Sequence, residues 1–273
     1  MRYGVDITNF GEYADPRNVI RLAQMAETAG WEGLFVWDHL GFVWGAPSGD
    51  PWVVLAAVAA STARLKIGTS VTPLPRRRPQ VLAHTLATLD ILSNGRVVFG
   101  AGLGGVPAEY TAFGEPDDPM RLAAMLDEGL EVLSRLWSGE RVMHHGPHYI
   151  AEGVTLAPLP IQRPRIPVWI GGESAPALRR AARWDGWIPG GVDEHGRITK
   201  SPEQLAAQVA IIRQQRTSAA PLEVAILCQS APTERALARA YEEAGATWWL
   251  EMLHGLRGSF DEMLSRTAAG PPV

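Results

Sequence analysis

The stretch 65–101, LKIGTSVTPLPRRRPQVLAHTLATLDILSNGRVVFGA, decides the fold. Its first run, Leu65–Val71, is too short for a stable helix and carries Ile67, Thr69 and Val71, so it reads as a buried strand. Pro79–Ser93 follows with apolar residues at helical spacing, and Asn94-Gly95 supplies the left-handed stop expected at a helix end. Arg96–Ala101 then returns as a second apolar run. A strand, a crossover helix and another strand imply parallel pairing.

Working outward, the same unit repeats in both directions. Upstream, Tyr3–Thr8 and Gly33–Trp37 are strand candidates. Between them Asp15-Pro16 opens a helix with Val19, Leu22, Ala23 and Ala26 on one face, ending at Gly30. Pro51–Thr62 is a helix with proline near its start. Downstream, Pro119–Trp137 places Leu122, Met125, Leu126, Gly129 and Leu133 at helical spacing. Strands at Val168–Ile170, Trp187-Ile188, Glu223–Cys228 and Thr247–Leu253 then alternate with helices at Pro176–Arg183, Pro202–Arg216, Glu234–Ala244 and Ser259–Ala268. Eight strands alternating with eight helices predict an α/β fold, a (β/α)₈ TIM barrel. A doubly wound open sheet is the competitor, but no Gly-x-Gly-x-x-Gly stands at the first strand–helix turn. Residues 139–166, with His144, His145, His148, four prolines and short β-like pieces, form an excursion after the fourth βα unit. No linker divides the chain, so residues 1–273 are expected to be one domain.

Composition narrows the function classes. The 25 Lys+Arg against 29 Asp+Glu give a formal charge of -4, which argues against a nucleic-acid partner. With 46% hydrophobic and 20% charged residues the chain has a globular profile. A lone cysteine, Cys228, rules out an intramolecular disulfide and fits a reducing cytoplasm. Met1-Arg2-Tyr3 leads straight into a strand-like run, with no apolar signal segment, and Trp52–Ser61 is too short to span a bilayer. A cytoplasmic protein without a membrane anchor is the expectation. Ten tryptophans are an unusual number, and this residue often lines ligand pockets.

Barrel chemistry sits at the C-terminal ends of the strands. The second strand ends in Trp37-Asp38-His39, where His39 suits an acid, base or donor role and Asp38 either fixes its tautomer or turns away to cap. The third ends in Gly68-Thr69-Ser70-Val71-Thr72-Pro73, a composition equally suited to a flat ligand and to a plain strand end. The fourth ends in Gly100-Ala101-Gly102-Leu103-Gly104-Gly105, which permits either close ligand approach or tight turns. The fifth runs through Gly171-Gly172-Glu173-Ser174 into a helix start, where unpaired amides and the helix dipole favour a phosphate. Arg76, Arg77 and Arg78 read either as a solvated loop or as a grip on an acidic tail. The three histidines of the excursion have no clustered carboxylate or thiolate beside them, so no metal set is expected.

Several segments, in order and over essentially the whole chain, resemble the bacterial luciferase-like monooxygenase family. They are Ala29-Gly30-Trp31, WDHL from Trp37, KIGTSVTPLPRRRP from Lys66, and LATLDILSNGRVVFGAGLG from Leu86. PVWIGGESAPALRRAARWDGWIP from Pro167 and the closing GATWWLEML resemble it too. The resemblance implies a barrel that binds either FMN or the deazaflavin coenzyme F420 at its C-terminal mouth. His39 would then lie near the ring, and Ser70-Val71 would form a bulge with a non-prolyl cis peptide supporting it. Gly171, Gly172, Glu173 and Ser174 would cradle the phosphate, and Asp38, Gly102 and Gly190 would line the same groove. The HHGPHY segment would be a substrate-side hairpin contributing His148. Deazaflavin-dependent members have a histidine, a tryptophan and an acid that match His39, Trp44 and Glu109 in order; Trp44 would face substrate.

Two mechanisms follow from the resemblance. With F420, a hydride passes between ring and substrate, His39 steadies charge and Glu109 transfers a proton. With FMN, reduced flavin from a separate reductase reacts with oxygen and a small organic substrate is oxygenated in a water-poor mouth. His39 and the Arg76–Arg78 run lean slightly toward F420. A non-catalytic flavin-binding barrel is the alternative outside enzymology. Homodimerisation is common in the family, though no segment marks an interface.

Overall fold

A computed structural model describes residues 1–190, 193, 197 and 199–272. In chain order the first half contains β1 (Arg2–Ile7), α1 (Pro16–Thr28), β2 (Gly33–Val36), α2 (Pro51–Ser61), β3 (Lys66–Thr69), β4 (Thr72–Pro73), α3 (Pro79–Leu92), β5 (Val97–Gly102), α4 (Ala108–Thr111) and α5 (Pro119–Ser138). The second half contains β6 (Val142–His145), β7 (Ile150–Val154), β8 (Val168–Gly171), α6 (Ala175–Ala181), β9 (Gly186–Ile188), α7 (Pro202–Gln215), β10 (Glu223–Cys228), α8 (Arg235–Glu243), β11 (Trp248–Leu253) and α9 (Phe260–Ala268). The strand–helix alternation read from the sequence is present throughout. Polar caps start most of the helices: Asp15, Asp50, Asp118, Ser174, Ser201 and Ser259 each accept a hydrogen bond from a first-turn amide.

The parallel strands close into a ring in the order β1, β2, β3, β5, β8, β9, β10, β11 and back to β1. Closure between β3 and β5 pairs Ile67 with Val97 and Gly68 with Val98. This is the eight-stranded TIM barrel expected. The excursion is an antiparallel hairpin of β6 and β7, held against α5 by the Glu128 carboxylate. That carboxylate accepts from the amides of His148 and Tyr149 and pairs with His144 Nε2 at 3.0 Å. The sequence had suggested no carboxylate beside these histidines; a turn of α5 brings one.

Two apolar layers hold the barrel. The larger lies between strands and helices, and a second fills the barrel interior around Phe35, Val98, Trp169, Trp248 and Leu250. Phe35 stacks on Trp169 with ring centroids 5.3 Å apart, and Trp248 closes on Trp169 at 5.7 Å. The tryptophans are therefore mostly core, contrary to the ligand-lining role their number suggested. Trp31, Trp52, Trp137, Trp187 and Trp249 are buried too, whereas Trp37 and Trp44 reach the mouth. Among the described residues, no helix is long and apolar enough to cross a membrane.

Candidate functional site

A cavity of about 620 Å³ opens at the C-terminal ends of β2, β3, β5, β8 and β9. Its wall collects Asp38, His39, Ser70, Val71, Gly102, Gly171, Gly172, Ser174 and Gly190, nine positions singled out from sequence. The Ser70–Val71 peptide is cis, as the resemblance implied. The glycines around it serve this bulge. A Cβ on Gly102 would lie 2.6 Å from Val71 Cγ2, and one on Gly171 2.9 Å from the same methyl. Their missing side chains make room for Val71 as well as leaving the cavity floor smooth. Gly172 has φ +105°, a left-handed conformation that favours glycine, and turns the chain into the Ser174 cap of α6.

His39 sits at the mouth with its side chain about a quarter exposed. Its Nδ1 lies 2.9 Å from Glu109 Oε1, and Leu40 N donates to the same oxygen at 2.7 Å. Arg76 Nη1 holds Oε2. Burial pushes the Glu109 carboxyl up, but the His39 hydrogen bond, the charges of His39 and Arg76 and the Leu40 amide outweigh it and keep it below the ordinary range. Glu109 is then an anion and only accepts, so His39 Nδ1 must carry a proton. His39 Nε2 is left for the cavity. Asn9 steadies the backbone beneath by donating to the carbonyls of His39 and Gly49, both at 2.8 Å.

The arginine run is neither solvated loop nor tail grip at two of its three positions. Arg76 Nη2 donates to Asp38 O at 2.7 Å and to Asp38 Oδ1 at 2.9 Å, and Arg77 Nη2 donates to Asp38 Oδ1 at 2.6 Å. Asp38, Glu109 and the head of Arg76 are buried together. Arg78 alone is exposed. Asp38 does not orient the imidazole; Glu109 does, from a loop helix 70 residues downstream in sequence.

Other expected residues fall elsewhere. His148 lines a hollow with Glu128, Arg135, Arg183 and Trp184 that shares no lining residue with the mouth cavity. Its expected place on the substrate side is not on the wall of the mouth cavity. Glu173 turns from the cradle to pair with Lys200 Nζ at 2.7 Å, in a hollow with Thr199 and Gln208. Trp44 does stand at the mouth, exposed, its ring edge-on to His39 at 6.0 Å. Arg180, paired with Asp127 at 2.8 Å, adds a cation to the cavity wall next to α6.

Asp6 escaped the sequence reading, although a carboxylate amid the apolar run of a strand, here between Val5 and Ile7, is itself a signal. Fully buried, it bonds Ser70 Oγ through Oδ1 and accepts from Trp37 Nε1 through Oδ2 at 2.7 Å. Burial pushes its carboxyl up to about 8, against the two hydrogen bonds. The folded protein then keeps a proton that the unfolded chain loses near pH 4, so this stabilising contribution is present below the unfolded pKa and fades as pH rises through about 8. Between those values stability should fall by up to about 1.4 kcal/mol per pH unit from this group alone. Urea unfolding of wild type and Asp6→Asn at pH 5, 6.5 and 8 reads it: the variant is expected to lack this slope, and parallel slopes would show that Asp6 is ionised in the fold.

Residues 1–269 match the family model for luciferase-like monooxygenases. A curated relative, the F420-dependent glucose-6-phosphate dehydrogenase of Microbacterium testaceum, is 36% identical over 190 residues, which is 67% of this chain and 54% of that one. The chain thus spans about half the length of that relative. Among solved structures, a monooxygenase from Streptomyces bottropensis superposes with a TM-score of 0.81 at 23% identity, covering 98% of this chain and 96% of the other. An F420-dependent secondary alcohol dehydrogenase bound to an F420–acetone adduct gives 0.82 at 17% identity, covering 99% and 98%. At these identities the structures speak for the fold. With the match running from residue 1 to 269, the chain belongs to the luciferase-like monooxygenase family.

Proposed function

We propose that the protein is an oxidoreductase that uses F420 for hydride transfer to or from a small organic substrate. The observation that carries this reading is the Glu109–His39 pair, which fixes an Nδ1–H tautomer and leaves Nε2 facing a flavin-sized cavity. The similarity to an F420-dependent dehydrogenase supports the deazaflavin over FMN. The cavity also fits a phosphate-bearing ring cofactor: small residues at Gly102, Gly104 and Gly105, the start of α6 and the Arg180 guanidinium lie along one wall.

Ser70, Val71 and Gly102 would bear the ring, and Gly171, Gly172, Ser174 and Gly190 with Arg180 would hold the phosphate end. Asp38 acts through Arg76 and Arg77 rather than on the cofactor. Hydride transfer is the chemistry F420 supplies when bound. His39 takes or returns the substrate proton at Nε2. Glu109 keeps the ring oriented and stabilises the imidazolium; with both oxygens already bonded, it is a positioning residue and not the proton carrier first expected. Trp44 would border the substrate.

Titration of the purified protein with F420 and with FMN, followed by fluorescence, tests the reading. Binding of F420 at least about tenfold tighter than FMN (about 1.4 kcal/mol) is the expected result. Tight FMN with no F420 binding would move the protein to reduced-flavin oxygenation with a separate reductase. Binding of neither would end the oxidoreductase reading.

A further inference from the structure

Val5 and Ile7 pack in the layer between strands and helices, so the alternation of β1 points Asp6 the other way, into the barrel. There its two oxygens are divided between two side chains. Oδ2 accepts from Trp37 Nε1 at 2.7 Å, and Oδ1 bonds Ser70 Oγ. Trp37 and Ser70 both belong to the wall of the mouth cavity. Trp37 also borders a second hollow of about 530 Å³, which Phe10, Tyr13, Leu256 and Phe260 line as well. The indole thus stands between two spaces, and its single donor is spent on Asp6.

The same two contacts fix where protons go. An indole N–H only donates, so Oδ2 must accept. A neutral Asp6 then carries its proton on Oδ1 and donates it to Ser70 Oγ, which leaves the serine its own proton for another acceptor. An ionised Asp6 only accepts, and it claims the serine proton. The charge on Asp6 therefore sets the hydrogen bonding of a side chain in the cavity wall.

No basic group pairs with Asp6 among the described residues, and burial favours its neutral form against the Ser70 and Trp37 hydrogen bonds. Its register partners are Phe35 of β2 and Met252 of β11, neither of them titratable. Glu251, beside Met252, faces the helix layer and pairs with Arg257 and Arg266. Asp38, next to Trp37, is held by Arg76 and Arg77. His39, whose ring lies 5.7 Å from that of Trp37, is held by Glu109.

We propose that Asp6 is a positioning residue of the cofactor site, which from beneath the wall anchors the Trp37 indole and sets the hydrogen bonding of Ser70. The role rests on the cofactor reading of the mouth. The neutral acid is the form the site uses. Ionisation takes the Ser70 proton and leaves an anion without a counter-charge below the cavity. Asp6→Asn copies the neutral acid, with an amide oxygen for Trp37 and an amide N–H for Ser70, and cannot ionise.

Two measurements test this. In the first, NMR follows the indole N–H signal of Trp37 in the cofactor-free protein from pH 6 to pH 9.5, the signal being assigned by its loss in Trp37→Phe. It is expected to shift with a midpoint of about 8 in wild type and to stay in place in Asp6→Asn. The wild-type titration stands whether or not the variant folds. In the second, F420 and FMN are titrated into both proteins at pH 6.5 and pH 9. Wild type should match Asp6→Asn at pH 6.5 and bind about 3–10-fold more weakly than the variant at pH 9, the worth of one hydrogen bond. Ionisations of the cofactor and of His39 are common to both proteins and cancel in the ratio. A Trp37 signal that does not move would overturn the proposal. So would an affinity ratio unchanged between the two pH values, the result for a residue that only stabilises the fold. Binding of neither F420 nor FMN by either protein would instead remove the cofactor reading, and the proposal with it.

Discussion

Arg76→Met is expected to destabilise the fold by about 3–5 kcal/mol, the cost of leaving buried charge without its partner. Arg76 joins two carboxylates that are themselves buried, Asp38 through the Nη2 contacts and Glu109 through Nη1. Methionine keeps much of the volume and removes the charge, so packing loss adds little. Glu109 would retain His39 and Leu40 N on Oε1 but lose its contact on Oε2. Asp38 would retain Arg77, while its Oδ2 has no hydrogen-bond partner even in the intact site. Urea unfolding of the two proteins measures the difference. A loss under about 1 kcal/mol, the range of exposed ion pairs, would mean that water reaches this cluster.

His39→Ala is expected to lower kcat by about 10²–10⁴-fold, the usual worth of a positioned acid–base group. The measurement is F420 absorbance under turnover of any alcohol or ketone that the wild type converts. F420 affinity and unfolding midpoint should stay close to wild type, because the imidazole is partly exposed and its main bond is to a carboxylate that Arg76 and Leu40 N also hold. Turnover within about threefold of wild type would remove His39 from the proton path. Strong loss of F420 binding would make it a ring contact instead.

The two variants act on one cluster from opposite ends, and their contrast is informative. Arg76 supports the site from inside the protein and is read in stability. His39 faces the cavity and is read in rate. Neither reading of the arginines from sequence, solvated loop or grip on an acidic tail, gives Arg76 these two buried carboxylates as partners.

The amino-acid sequence by itself determined the barrel. Eight apolar runs of strand length, each followed by an amphipathic or capped helix, allow few topologies, because parallel strands need crossovers and two buried faces. The positions at the strand ends were equally legible: Ser70-Val71, Gly102, Gly171-Gly172 and His39 do converge on one cavity, since each strand delivers its C-terminal end to the same rim. Local reading also found the excursion that proves to be the β6–β7 hairpin, because its prolines and β-like pieces break the helical period. What only the tertiary structure decided were the partners. Arg76 meets Asp38 and Glu109, His148 goes to the α5 side with Glu128, Glu173 pairs with Lys200, and Tyr13 faces a hollow closed by residues from the far end of the chain. Periodicity reports which face of an element is buried, whereas ion pairs and cavities depend on side chains that barrel closure brings together from 20 to more than 200 positions apart. No local pattern encodes those distances.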